Sequence, residues 1–121
     1  MTITLYGIPN CDTVKKARVW LAAQALPFDF HDFKKQGLER AIVPAWLGQL
    51  DWTVLVNRKG TTWRGLPEAR KDAVVDAAGA LALMLEFPSV IKRPVLARPD
   101  AAGSAFSVGF SDAQYRQIFQ L

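Results

Sequence analysis

The chain has 121 residues, enough for one domain with its own core and too few for two. Half of the residues are hydrophobic and 21% are charged, a balance that excludes a disordered tail. The formal charge of +4 is scattered, densest at Lys15, Lys16 and Arg18 with pairs at Lys34–Lys35 and Lys92–Arg93; this excludes a basic arm for nucleic acid and leaves a solvated surface that mildly favours anionic small substrates.

Thr2 to Tyr6 alternates like a strand and carries no basic leader, so no signal peptide is expected. Gly7-Ile8-Pro9-Asn10 breaks it. From Asp12 the period changes: Val14, Ala17, Leu21 and Ala25 recur at helical spacing, with Lys15, Lys16, Arg18 and Gln24 on the other side. Asn10 is the expected N-cap, and Asp12 suits the positive end of the helix dipole. Pro27 stops the helix, and Phe28 to Phe33 read as a second strand. Strand, helix and strand within about thirty residues make a βαβ unit, so these two strands should be parallel.

Lys34 to Gly37 reads as a polar turn, and Leu38 to Leu50 as a helix with Pro44 near its start or at a kink. Trp52 to Val56 fits a short helix or a strand, and helix is favoured. Asn57 to Thr62 is loop. Pro67 suits the first turn of the next helix, whose apolar stripe of Val74, Ala77, Ala78, Leu81 and Leu85 is interrupted between Asp76 and Gly79. The most apolar run, Ala77 to Leu85, is far short of the ~20 residues that span a bilayer. After Pro88, Val95-Leu96 begins a third strand, Arg98 to Gly103 has turn composition, and Ala105 to Val108 returns. Ser111-Asp112 starts a last helix whose Tyr115, Ile118 and Phe119 face inward. The order is β-α-β, a helical insertion, β-β, then α: an α/β chain expected to form a single domain over residues 1–121.

Cys11 is the single cysteine, which excludes an internal disulfide and a disulfide-stapled secreted fold. By elimination the expected compartment is the cytoplasm. With one Cys and one His in the chain, no metal site is expected. Cys11 stands between the first strand and the first helix, where a thiolate faces the unpaired N–H groups of the helix's first turn, with Lys15 one turn on. That position favours a reactive thiol over an inert buried one. A dyad of Cys11 with His31 is conceivable, but a histidine among strand aromatics is more simply structural. Position 14 is Val, so there is no Cys-x-x-Cys, and an external thiol must resolve any mixed disulfide on Cys11.

Several segments together resemble one family. Leu5-Tyr6-Gly7-Ile8-Pro9-Asn10-Cys11-Asp12-Thr13 resembles the opening of the ArsC/Spx, or arsenate-reductase-like, family, and Asp32-Phe33-Lys34 with Gly37-Leu38 is similar to its second strand and turn. Pro88-Ser89-Val90-Ile91-Lys92-Arg93-Pro94 resembles its Pro-x-x-Ile-x-Arg-Pro signature. Gly60-Thr61-Thr62-Trp63-Arg64 and Gly109-Phe110-Ser111-Asp112 look like its YffB-type subgroup. The resemblance spans essentially the whole chain.

It implies a thioredoxin-like fold with a mixed sheet, Cys11 as the catalytic nucleophile and a cis Pro94 beside it, although cis is the minority form of X–Pro bonds. Of the three arginines that bind the oxyanion in the family's arsenate reductases, Arg58 and Arg93 match two, with Lys15 as an added cation and Arg64 and Lys92 in reserve. The third has no counterpart; its place falls near Gly109. Since a tetrahedral dianion needs several charge-assisted donors, the resemblance favours a glutathione-dependent thiol reductase. That enzyme would be a monomer with no bound cofactor, glutathione as co-substrate, and glutaredoxin as a further candidate partner. The alternatives are an arsenate reductase using glutathione or glutaredoxin, and a Spx-like protein that binds RNA polymerase without turnover.

Overall fold

The computed structural model describes residues 2–101 and 103–121. The chain gathers into two compact units: Met1–Gln36 with Arg93–Leu121, and Gly37–Lys92. No helix among the described residues is long and apolar enough to cross a membrane.

The first unit holds a four-stranded sheet in the order β2-β1-β3-β4. Its strands are β1 (Ile3–Gly7), β2 (Phe28–Asp32), β3 (Val95–Asp100) and β4 (Gly103–Val108). β1 and β2 are parallel with Ile3 opposite Phe28, as the βαβ reading requires; β1 with β3 and β3 with β4 are antiparallel. The sheet is therefore mixed. The two last strands run on to Asp100 and Gly103, leaving a tighter hairpin than the composition of Arg98 to Gly103 suggests. Part of that turn, residue 102, lies outside the described residues.

Between β1 and β2 lies α1 (Asp12–Ala23), which buries Val14, Ala17, Trp20 and Leu21. Its N-cap is Cys11, one residue later than the sequence reading placed it: Cys11 has extended backbone angles, and its carbonyl accepts the Lys15 N–H at 2.9 Å. Ala25 is not on the helical stripe. It follows the helix at φ 55°, the Leu26 N–H reaches back to the Leu21 carbonyl and the Ala25 N–H to that of Ala22, both at 3.0 Å. This is a Schellman stop with alanine where glycine is usual, tolerated because Leu26 thereby packs on the core that includes Leu21. β2 ends at Asp32, whose Oδ1 accepts the N–H groups of Lys34 and Lys35; the expected polar turn is thus one turn of helix, α2 (Phe33–Gln36).

Leu5, Ala17, Trp20, Leu21, Leu96 and Tyr115 form the core, with Phe28, Phe30, Phe110, Ile118 and Phe119 around it. The final helix of this unit, Asp112–Phe119, is capped by Ser111 Oγ, which accepts the Gln114 N–H at 3.0 Å. It is tied to α1 by Asp112, whose Oδ1 accepts the Trp20 indole N–H at 2.8 Å while Oδ2 accepts Arg116 Nε–H at 2.7 Å. The Arg116 bond first, then the Trp20 bond, holds the Asp112 carboxyl below its ordinary pKa.

Tyr115 sits at the centre of this aromatic packing, edge-on to Trp20 and Phe110 at centroid distances of 5.4 and 4.7 Å. Its hydroxyl is buried with no hydrogen-bond partner among the described residues, and burial raises its pKa. Tyr115→Phe should therefore raise stability at neutral pH by on the order of 1 kcal/mol, since it removes an unsatisfied buried donor. A raised folded-state pKa gives stability that is whole below the unfolded value of about 10 and is lost as pH rises toward the folded value. Urea denaturation of both proteins between neutral pH and pH about 11 checks this: the wild type should decline more steeply than the phenylalanine variant. Equal slopes would mean that the hydroxyl finds a partner in solution.

The second unit is helical: α3 (Ile42–Leu47), α4 (Trp52–Leu55), α5 (Thr61–Arg64), α6 (Glu68–Asp72) and α7 (Ala77–Glu86), followed by a 3-10 turn, Pro88–Val90; the C-terminal helix is α8 (Asp112–Phe119). α3 is shorter than the expected helix from Leu38 to Leu50 and starts two residues before Pro44, which thus lies in its first turn where the missing N–H is harmless. Trp52 to Leu55 is helix, capped by Asp51 Oδ1 on the Thr53 N–H. Pro67 stands just before α6 rather than inside its first turn. The helix break falls at residues 73–76, and Asp76 caps α7 by accepting the Gly79 N–H at 2.8 Å. α7 buries Ala80, Leu83 and Met84, while Leu85 of the expected stripe is exposed.

Candidate thiol site and basic groove

Cys11 is held where a strand end meets a helix start, and the local sequence dictates how closely they meet. β1 ends at Gly7, and a Cβ there would come within 2.9 Å of Val14 Cγ2 and 3.2 Å of Cγ1. Val14 is fully buried in the first turns of α1. Glycine at position 7 thus lets the strand end press on the helix whose N-cap is the cysteine. Cys11 itself is half-buried, and its side chain makes no capping hydrogen bond. The sulfur is at the end of a helix that has orphan N–H groups in its first turn, with Asp12 as the first-turn acid.

Lys15 is exposed on α1 one turn beyond Cys11, and its tie to the cysteine is through the backbone. The Arg93–Pro94 peptide bond is cis. The register that pairs Tyr6 with Val95 brings Pro94 to the end of β1, the point from which the Cys11 loop departs. The Pro94 carbonyl accepts the Gly109 N–H at 2.8 Å, and Gly109 has φ 81°. That is the place where the resemblance left the third arginine without a counterpart, and a left-handed residue there favours glycine over any side chain. Arg93 is half-buried. Cys11, Lys15, Arg93 and Pro94 thus all belong to the first unit.

Arg58 belongs to the second. An isolated antiparallel bridge joins Val56 to Ile91, with the Asn57 N–H on the Val90 carbonyl and the Lys92 N–H on that of Leu55, each at 2.7 Å. On this bridge stands a groove of about 350 Å³ lined by Thr53, Val54, Val56, Asn57, Arg58, Lys59 and Lys92. The turn carrying Arg58 is shaped by Asn57 Oδ1, which accepts the Lys59 N–H at 3.2 Å, and the Arg58 guanidinium lies 5.8 Å from the Trp52 ring centroid. Three cations and no carboxylate line the groove, which gives it an anion-attracting character. Arg58 and the reserve candidate Lys92 thus share one wall, and Lys59, which no motif singles out and whose one signal in the sequence is its place directly after Arg58, joins them. Arg64, the other reserve, is exposed on α5 with Nε–H directed to the Gly60 carbonyl.

His31 is not spent on the cysteine. It pairs with Tyr6 across β1 and β2, ring centroids 5.1 Å apart.

Comparisons with known proteins match nearly the whole chain. The ArsC family model matches residues 6–118. An uncharacterized protein of Haemophilus influenzae is 40% identical over 117 residues, covering 97% of this chain and 98% of its own. Among solved structures, a YffB protein superposes with a TM-score of 0.86 at 45% identity, covering 96% of this chain and 97% of that one. An arsenate reductase (ArsC) related protein from Brucella melitensis superposes at 0.74 with 48% identity, over 100% of this chain and 97% of that one.

Proposed function

Because the chain belongs to the ArsC family, we propose that it is a thiol reductase that works through Cys11 and takes its electrons from glutathione. One observation carries the reading: the only thiol of the chain is a half-exposed N-cap whose side chain is not used in capping. A sulfur in that position is available for attack.

The chemistry balances as two exchanges. The Cys11 thiolate attacks the glutathionyl sulfur of a mixed disulfide R–S–S–G; that S–S bond breaks, Cys11–S–S–G forms, and R–S⁻ leaves and takes up a proton. A second glutathione thiolate then attacks the glutathionyl sulfur on Cys11, releasing oxidised glutathione and restoring the Cys11 thiolate. The sum is R–S–S–G plus glutathione giving R–SH plus oxidised glutathione. With no second cysteine in the chain, the second step needs the external thiol. Arg93 and Lys15 are the first unit's candidates for the glutathione carboxylates, as charge-assisted donors. Arg58, with the basic groove of the second unit, is the further candidate for anion binding.

Mass spectrometry after exposure to oxidised glutathione should find one glutathionyl adduct, on Cys11, removed by added reduced glutathione. In an assay coupled to glutathione reductase, a small glutathionyl mixed disulfide should turn over, and arsenate slowly or not at all, because the third arginine that the resemblance calls for, near Gly109, has no counterpart in the sequence. Absence of the adduct would sink the reading. Arsenate reduction faster than mixed-disulfide reduction would reverse the ranking of substrates.

A further inference from the structure

A groove of about 400 Å³ runs along the outer side of α1, lined by Lys15, Lys16, Val19, Trp20, Ala23 and Phe110. Of its lining, only Lys15 has a part in the exchange steps, as a candidate for the glutathione carboxylates. Val19, 69% exposed, is an apolar side chain left in water on the same lining as Trp20. The only charged groups on the lining are the two lysines, and neither forms an ion pair among the described residues. Asp112, which holds the Trp20 indole N–H, has its charge matched by Arg116. An apolar wall that includes the stems of two lysines and no acidic residue, with Asp12 one turn nearer the cysteine and outside the lining, is complementary to a segment carrying an apolar side chain next to an acid.

The groove is also within reach of the thiol. With a helical rise of 1.5 Å per residue, Lys15 lies roughly 6 Å and Val19 roughly 12 Å along the axis from Cys11. An extended peptide covers those distances in about two and about four residues. Each four-residue step turns about 40° round the helix, so Lys15, Val19 and Ala23 follow one another along the face of α1 that leads from its Cys11 end into the groove.

We propose that the α1 groove docks the polypeptide part of the substrate: an extended segment of a glutathionylated protein with an acidic residue about two positions, and a bulky apolar residue about four positions, from its modified cysteine. The proposal rests on the reading of Cys11 as a glutathione-linked thiol reductase and adds the substrate class. Charge draws the segment in, and burial of its apolar side chain against Val19, Trp20 and Phe110 holds it.

Docking and turnover are tested separately. Fluorescence anisotropy with the Cys11→Ser protein measures binding of labelled peptides that carry Asp and Leu at those spacings on either side of a serine, against counterparts with Lys and Ser. The acidic, apolar peptides should bind more tightly, should weaken with added salt, and should lose about tenfold in affinity with Val19→Asp or Lys16→Glu added. Equal binding of the two peptide sets, or no effect of either variant, overturns the docking proposal even if small substrates turn over normally. Sedimentation that shows a dimer of the wild type and a monomer of Val19→Asp assigns the groove to a second copy and overturns it as well. In the active protein, both variants should raise KM for the glutathionylated acidic peptide and leave turnover of a small glutathionyl disulfide unchanged. Selective binding without any turnover upholds the docking and sinks the thiol-reductase reading.

Discussion

Cys11→Ser should abolish mixed-disulfide turnover and at the same time make the protein slightly more stable. The loss follows from the chemistry: the serine hydroxyl does not exchange with a disulfide, and no other sulfur nucleophile exists in the chain apart from two methionine thioethers that cannot form a thiolate. The gain follows from the helix. Cys11 is the N-cap of α1, its backbone angles of −145° and 122° are those of a cap, and its side chain makes no capping bond. A serine Oγ at that position can accept an orphan N–H of the first turn, an interaction worth about 0.5–2 kcal/mol where serine caps are measured against alanine. The pair of measurements is the coupled glutathione assay and the urea midpoint. Loss of activity with lower stability would mean that the thiol also packs structurally; residual activity at the wild-type level would remove Cys11 from the reaction. A cysteine where serine would hold the helix better is the pattern expected when a site is shaped by its chemistry rather than by stability.

Gly7→Ala should destabilise the protein by about 1–3 kcal/mol through overpacking. The added Cβ would lie 2.9 and 3.2 Å from the two γ-carbons of Val14, whose side chain is fully buried. The strand end and the start of α1 would have to separate, which moves the loop that carries Cys11. Val14→Ala removes the clashing carbons, so the double variant Gly7→Ala with Val14→Ala should lose less stability than the sum of the two single changes. A double-mutant cycle from denaturation curves reads this coupling directly. Additive losses would show that the Gly7–Val14 approach is not what makes glycine necessary. Activity of the Gly7→Ala protein should fall more than its folded fraction, because the cysteine's position depends on the same contact.

The local chemistry of the chain determined a good deal. Gly7 to Asn10 as a breaker, the helical period after Asp12, the stop before Pro27 and the Ser111 cap are each readable because a turn, a cap or a helix face depends on residues within a few positions of one another. For the same reason the single cysteine could be placed at a helix start, and the parallel pairing of β1 with β2 follows from the helix between them. Errors arose where two local signals competed. Asn10 is the better capping side chain, yet Cys11 has the cap geometry; Ala25 continues the apolar spacing, yet it is the left-handed residue of the helix stop. In both places the packing of α1 on the sheet set the helix ends, and propensity yielded to burial. In α7 every residue before Glu86 is apolar, so composition could not say which face turns inward, and Ala80, Leu83 and Met84 were chosen by what α3 and the 3-10 turn offered them.

Only the tertiary structure decided the strand order β2-β1-β3-β4 and the register of Tyr6 on Val95, which depend on contacts between residues far apart in the chain. That register carries the cis Arg93–Pro94 bond to the end of β1 and sets Gly109 on the Pro94 carbonyl. The basic groove around Arg58 likewise exists only because Val56 pairs with Ile91, bringing Lys92 to the same wall as Lys59. Periodicity reports what a segment buries. What it is buried against, and so which side chains share a surface, is fixed by long-range packing that no local pattern encodes.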